Sequence, residues 1–344
     1  MSLNYNLLEP FVSYHTMVRA ELKEIIDSNS STLYNMLRYH MGWQDKDGNP
    51  CHERSGKFIR STLCLLSCHA VGGDISRILS VPAALELIHN FSLIHDDIQD
   101  ASDERHHRPT VWKLWGQAQA INAGDAMFNL AYSALLRLKR NDISDQKVVG
   151  SIKLLEMACR KLCEGQYSDM EYASRLDVTV EDYLNMAANK TAALIAASTS
   201  VGAYLGCEDE KMVEAFRLFG RELGMAYQIS DDILGIWGME EITGKSASDI
   251  SQRKKTLPVV YGLQNSNGEA GKKLEEFYLK ESIADHEVGQ IVEILDNLGA
   301  KRYAQSLTEQ YHHQALTLLD SVDINASSQA SLRELVSFLL ERDY

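Results

Sequence analysis

Apolar residues recur at three- and four-residue intervals along most of this 344-residue chain. That spacing puts side chains on one face of a helix. It predicts helices, singly or in pairs, over residues 5–28, 31–41, 56–72, 77–101, 110–139, 145–174, 180–206, 209–238, 257–265, 269–281, 285–320 and 326–341. No run alternates apolar and polar residues long enough to read as a strand. The breaks fall at turn-forming stretches: Asp45 to Pro50, Gly72-Gly73-Asp74, Asn141-Asp142, Gly206 to Glu210 and Asn265 to Gly268. Pro82 suits the first turn of the fourth helix. No linker, charge block or low-complexity tract divides the chain. The expectation is all-α, a single domain over 1–344 built as a bundle of long helices.

Composition agrees. Only 5 prolines and 21 glycines argue against a turn-rich sandwich or barrel, and 45% hydrophobic residues argue against disorder. The net charge of −14 argues against a general nucleic-acid binder, although it leaves room for a local basic pocket. The first residues lack a basic start followed by an apolar run, so no signal peptide is expected. The most apolar window, Thr191 to Gly206, is interrupted by Ser198, Thr199 and Ser200 and is too short for a membrane span. Cys64 and Cys68, and Cys159 and Cys163, are spaced by one helical turn. With no metal-type spacing among the six cysteines, they read as small buried thiols in a reducing, cytoplasmic compartment.

The sharpest stretch is ELIHNFSLIHDDIQDASDERHHRPTVW, residues 86–112. Asp96 and Asp100 are four apart and share a helix face, with Asp97 beside them. Like charges at that spacing repel, so the arrangement suits either solvent or an intervening cation. Hard oxygen ligands without nearby cysteine favour Mg²⁺, held by one or two carboxylates plus phosphate oxygens. A second pair, Asp231-Asp232 in QISDDILGIWG, is bracketed by Ile229, Ile233 and Leu234, which a solvated face would not require. Two such pairs suggest facing walls of one cavity holding Mg²⁺ ions on a diphosphate.

Cations sit where an anion would need them. Lys57 and Arg60 open one helix in SGKFIRS, and Arg105 follows the first acidic motif. Lys190-Thr191 lies among alanines, Lys245 in GKSASD and Lys254-Lys255 in RKKTLP.

These segments, in this order, resemble the trans-isoprenyl diphosphate synthases, the family of farnesyl and geranylgeranyl diphosphate synthases. SGKFIRS is similar to the family's GKxxR motif, and ELIHNFSLIHDDIQD to its first aspartate-rich motif. NKTAAL is similar to its KT motif, QISDDILG to its second aspartate-rich motif, and GKSASDISQRKKTLP to its GK loop. The resemblance covers about 200 residues. It implies one all-helical domain around a deep central cavity, usually as a homodimer.

By position, the resemblance assigns Lys57, Arg60 and His89 to the diphosphate of isopentenyl diphosphate. It assigns Asp96 and Asp100 to two Mg²⁺ ions and Asp231 to a third. Asp97 and Asp232 become ligands or acceptors behind them. Arg105, Lys190, Lys245 and Lys254 would hold an allylic diphosphate, with Thr191 and Gln228 near the reacting carbons. Gln166 and Asp169, in CEGQYSDMEY, would support them from behind. The implied reaction is metal-assisted loss of diphosphate to an allylic cation, attack by isopentenyl diphosphate, and loss of a proton.

Two departures stand out. The family's paired arginines followed by glycine are here Arg105-His106-His107-Arg108, so His106 takes the second arginine's place at the isopentenyl site. Arg108 is the residue that could compensate. The second motif ends at Gly235 where the family usually has a third aspartate. Phe91 and Ser92, five and four residues before Asp96, are the expected chain-length residues. With the short first motif they favour a geranylgeranyl product, farnesyl next. Competing readings are a terpene cyclase or diphosphate lyase on the same fold, which would not need Lys57, Arg60 and His89, and a non-catalytic regulatory subunit, which would not need the first acidic motif.

Overall fold

In a computed structural model of the chain, residues 9–51, 56–238, 248–265 and 268–340 are described. Among them the fold is all-α apart from one two-residue hairpin. The chain forms two compact units, Met1–Leu155 with Val201–Glu210, and Glu156–Ser200 with Lys211–Tyr344.

The first unit contains α1 (Glu9–Asp27), α2 (Leu33–His40), α3 (Ile59–Ala70), α4 (Ser80–Gln99), α5 (Val111–Trp115) and α6 (Gln117–Leu136). The strands β1 (Glu104–Arg105) and β2 (Arg108–Pro109) follow α4. The long helix predicted over 110–139 is split because Gly116 adopts a left-handed φ of 82°, which closes α5 before α6 begins. The first nine residues of α4 are buried, and its C-terminal turns emerge toward solvent at Gln99 and Asp100. Helix α6 packs along α4 at close range. A β-carbon at Gly124 would meet the His95 ring at 2.2 Å.

The second unit holds most of α7 (Asp145–Tyr172), with α8 (Val180–Ala187), α9 (Ala193–Gly206) up to Ser200, and α10 (Glu210–Trp237). Next come α11 (Ser248–Ser251), α12 (Leu257–Asn265) and α13 (Glu269–Leu279). The unit ends with α14 (Asp285–Asn297), α15 (Ala300–Asp320) and α16 (Ala326–Leu340). On α10, Phe216, Phe219, Leu223, Ala226, Ile229, Ile233 and Ile236 recur every three or four residues and are all buried. Tyr183, Met186, Ile229, Ile233, Leu257 and Val260 form one core cluster around the acidic segment of α10.

The helix predicted over 180–206 is not continuous. Residues Ala188–Ala192 form a single π-helical turn between α8 and α9. Single π turns inserted in α-helices occur frequently at functional sites. Among the described residues, no helix is long and apolar enough to cross a membrane. All six cysteines are free; Cys64, Cys68 and Cys159 are buried as expected, but Cys163 is exposed.

Candidate active site

In the first unit, two helix ends carry charges of the wrong sign for their own dipoles. Phe58 takes a left-handed φ of 51°, so α3 starts at Ile59, three residues later than predicted. Lys57 therefore lies exposed just before the helix and Arg60 in its first turn, with no acidic residue in that turn. Helix N-termini favour anions, so two cations there raise a positive potential that a bound anion relieves. The opposite holds at α4. Asp96, Asp97 and Asp100 crowd its C-terminal end, and its last turn has no basic residue. Carboxylates at that end are disfavoured by the dipole and favoured by a nearby cation.

Arg105 supplies one such cation. Its Nε and Nη2 lie 2.9 and 2.8 Å from Asp97 Oδ1, and Nη2 is 3.5 Å from Asp96. Asp97 is only 2% exposed. Burial raises its pKa, against the pull of Arg105. Its Oδ2 is buried without a hydrogen-bond partner among the described residues, the kind of acceptor that a cation or ordered water satisfies. Asp96 is half-buried and Asp100 exposed, so these two present carboxylates outward.

The hairpin that delivers Arg105 has a two-residue loop, His106-His107, with φ of 53° and 62°. Two positive φ values mark a primed turn, which glycine or asparagine usually fills. The family's glycine falls at His107, and the structure supplies the reason: that position is left-handed. The guanidinium of Arg108 is engaged away from the loop. Its Nη1 and Nη2 donate to the carbonyls of Tyr39 and Gln44, and its guanidinium lies 4.0 Å over the Tyr39 ring. It ties the hairpin to the end of α2.

His89 is half-buried on α4. Burial pushes its pKa well down, and the charges of Arg60 and Arg105 push further. His40, which sequence reasoning missed, joins the same group. Burial and Arg105 lower its pKa to about 3, and its Nε2 lies 3.1 Å from Asn90 Oδ1. His106 is exposed and adds to the positive field felt by both histidines. Phe91 is buried on α4, and its ring meets Phe128 of α6 edge-on at 5.0 Å. Phe128 in turn meets Tyr132 at 5.1 Å. The half-buried Ser92 turns its hydroxyl to the His89 carbonyl.

In the second unit, the π turn carries Lys190 and Thr191. Gly165 lets α7 approach it closely, since a β-carbon there would sit 2.2 Å from Lys190 N. Asp169, one turn along α7, pairs with Lys190 Nζ at 2.5 Å. Thr191 Oγ1 donates to Gln228 Oε1 at 2.5 Å, and Gln228 Nε2 donates to Asp232 Oδ1 at 2.9 Å. Asp232 Oδ2 accepts from Tyr183 OH at 2.5 Å and from the Leu257 N–H at 2.7 Å. Burial lifts its pKa to about 7 despite these donors. Asp232 is thus an internal acceptor behind Gln228, while its neighbour Asp231 is half-buried on a different side of α10.

The missing third aspartate also has a structural counterpart. A β-carbon on Gly235 would lie 1.9 Å from Asp249 Oδ2. The Asp249 pKa is raised by burial, lowered by Lys254 and raised by Asp231. Lys254 Nζ is 3.7 Å from the Asp249 carboxylate. Lys245 lies outside the described residues. Asp249 stands within GKSASD and Tyr183 seven residues before Lys190, two helical turns away; that spacing was the available signal for Tyr183.

Among the described residues, no three His, Cys, Asp or Glu side chains form a self-sufficient metal cage. Mg²⁺ needs none, because it keeps waters and takes phosphate oxygens beside one or two carboxylates. The outward carboxylates of Asp96 and Asp100, at a helix end lacking cations of its own, fit that demand.

The profile of the polyprenyl synthetase family matches residues 48–295. The chain is 37% identical over 333 residues to the (2E,6E)-farnesyl diphosphate synthase of Mycobacterium tuberculosis, covering 95% of this chain and 91% of that protein. It is also 37% identical over 318 residues to the geranylgeranyl diphosphate synthase of the same organism, covering 91% and 89%. The solved structure of a polyprenyl synthetase from Streptomyces coelicolor superposes with a TM-score of 0.90 at 35% identity, covering 96% of this chain and 98% of that one. The geranylgeranyl pyrophosphate synthase of Corynebacterium glutamicum, complexed with isoprenyl diphosphate and magnesium, gives 0.85 at 25% identity, covering 97% and 99%.

Proposed function

Because the chain belongs to the polyprenyl synthetase family and is a short-chain trans-prenyltransferase, we propose that it condenses isopentenyl diphosphate with an allylic diphosphate, giving mainly geranylgeranyl diphosphate, with farnesyl diphosphate next. The observation that carries this reading is the pairing in the first unit of an anion-seeking end of α3, at Lys57 and Arg60, with a cation-seeking end of α4, at Asp96 and Asp100.

In the first unit, Lys57, Arg60 and His89 receive the diphosphate of isopentenyl diphosphate, with His106 adding to the positive field. Arg105 holds Asp97 in place and reaches toward the allylic diphosphate. Asp96 and Asp100 would hold two Mg²⁺ ions and Asp231, in the second unit, a third. Magnesium, when bound, neutralises the diphosphate as it leaves.

Lys190, Lys254 and Lys245 bind the allylic diphosphate oxygens. Asp169 holds Lys190 in position. Thr191 and Gln228 place oxygen atoms near the allylic carbons, where positive charge develops once the carbon–oxygen bond breaks. The double bond of isopentenyl diphosphate then forms the new carbon–carbon bond, and the released diphosphate takes the proton. Alignment of the two substrates and preorganised charge do the catalytic work.

The free cysteines support a cytoplasmic setting, and membership of the family supports a homodimer. The test is incubation with labelled isopentenyl diphosphate and each allylic primer. The reading expects Mg²⁺-dependent label in a twenty-carbon product; release of a hydrocarbon from the allylic substrate alone would replace it with a lyase.

A further inference from the structure

We propose that Tyr183 is a positioning residue for the condensation: through Asp232 it fixes which end of the Gln228 side-chain amide faces the reacting carbons. This rests on the reading that places Gln228 and Thr191 beside the allylic carbons.

A glutamine amide has two nearly isosteric ends of opposite polarity. Its carbonyl oxygen stabilises a neighbouring carbocation, and its NH₂ group repels one. Something must select the orientation. Asp232 Oδ1 lies 2.9 Å from Gln228 Nε2 and accepts from that end of the amide. The carbonyl end is thereby turned the other way, where it accepts from Thr191 Oγ1 at 2.5 Å.

Asp232 can impose this only if it is itself held. Its other oxygen receives two donors, Tyr183 OH at 2.5 Å and the Leu257 N–H at 2.7 Å. The Leu257 donor belongs to the backbone and stays in any variant. Tyr183 is the removable support. It is 1% exposed and packed among Met186, Ile229 and Ile233, so it reaches no substrate; its hydroxyl meets Asp232 and also lies beside the Gln228 side chain. Without the tyrosine donor the carboxylate is less well held, and the flipped amide becomes accessible.

The test is Tyr183→Phe, alone and combined with Gln228→Leu. Wild-type protein must first turn over isopentenyl diphosphate with an allylic primer. Failure there removes the function on which the proposal rests, independently of Tyr183. With turnover established, Tyr183→Phe should lower kcat roughly tenfold, the effect of one hydrogen bond to a charged group. The KM of both substrates and the Mg²⁺ concentration for half-activation should stay unchanged. In the Gln228→Leu background the same substitution should cost nothing further. A normal kcat in Tyr183→Phe, or an equal loss with and without Gln228, overturns the proposal. If Tyr183→Phe fails to fold, Asp232→Asn takes its place. The same selective fall in kcat supports the relay, and a raised Mg²⁺ requirement with normal kcat at saturating metal overturns it.

Discussion

A β-carbon on Gly235 would lie 1.9 Å from the carboxylate of Asp249. The Asp249 side chain therefore fills the space beside the second acidic motif that a third aspartate would need. Restoring the family residue should harm this protein. Gly235→Asp overpacks the site and adds a like charge, at a cost of about 1–3 kcal/mol. Thermal unfolding of Gly235→Asp beside Gly235→Asp/Asp249→Gly measures this, and the double variant should recover part of the lost stability. Equal melting of Gly235→Asp and wild type would show that Asp249 does not fill that space.

The hairpin loop predicts the opposite sign. His107 holds a φ of 62°. An L-residue there costs roughly 1–2 kcal/mol, of which glycine gives some back through its freer unfolded chain. His107→Gly should raise unfolding stability by about 0.5–1 kcal/mol in urea titration. A loss of stability would mean that the imidazole makes contacts outweighing the strain.

Much of the fold was legible because helices repeat their pattern every turn. The acidic end of α4 and the apolar face of α10 followed directly from spacing. The features that did not follow join residues far apart in sequence, and these leave no periodic trace. Tyr183 with Asp232 and Gly235 with Asp249 are of this kind. The π turn at Ala188–Ala192 was hidden because one inserted residue scarcely alters the apolar periodicity. The β1–β2 hairpin was missed because two-residue strands are too short to alternate, and its loop carries histidines where glycine would signal a primed turn.

His40 should make acid unfolding steeper. Its folded pKa of about 3 lies below its ordinary value of 6.5. Between those values the unfolded chain binds the proton and the folded one resists it, so stability falls as pH falls through that window. His40→Gln keeps a donor for Asn90 and cannot titrate. Relative to wild type it should gain up to about 1.4 kcal/mol per pH unit as pH drops from about 6 to 4. Above about pH 7.5 the difference should be flat. Parallel urea titrations across this range check it, and identical slopes would mean that His40 takes its proton in the folded protein.

Chain length should answer to the aromatic contact between α4 and α6. Phe91 is buried and backed by Phe128 at a ring distance of 5.0 Å. Phe91→Ala removes the inner ring and opens a cavity. Chromatography of the dephosphorylated products should then show a shift beyond twenty carbons. Phe128→Ala should give a smaller shift in the same direction. An unchanged product in an active Phe91→Ala enzyme would place the floor elsewhere.

The central claim is that outward carboxylates at the end of α4 hold the metal on which isopentenyl transfer depends. Its most direct test is the rate of labelled isopentenyl diphosphate incorporation by wild type and Asp100→Ala, at saturating Mg²⁺ and in chelator, with circular dichroism on both proteins. Asp100 is exposed, so the variant should keep its helical signal. Wild type should incorporate label only with Mg²⁺, and Asp100→Ala should lose at least about a hundredfold in rate. Near-normal incorporation by a folded Asp100→Ala protein, or incorporation by wild type in chelator, would contradict the account.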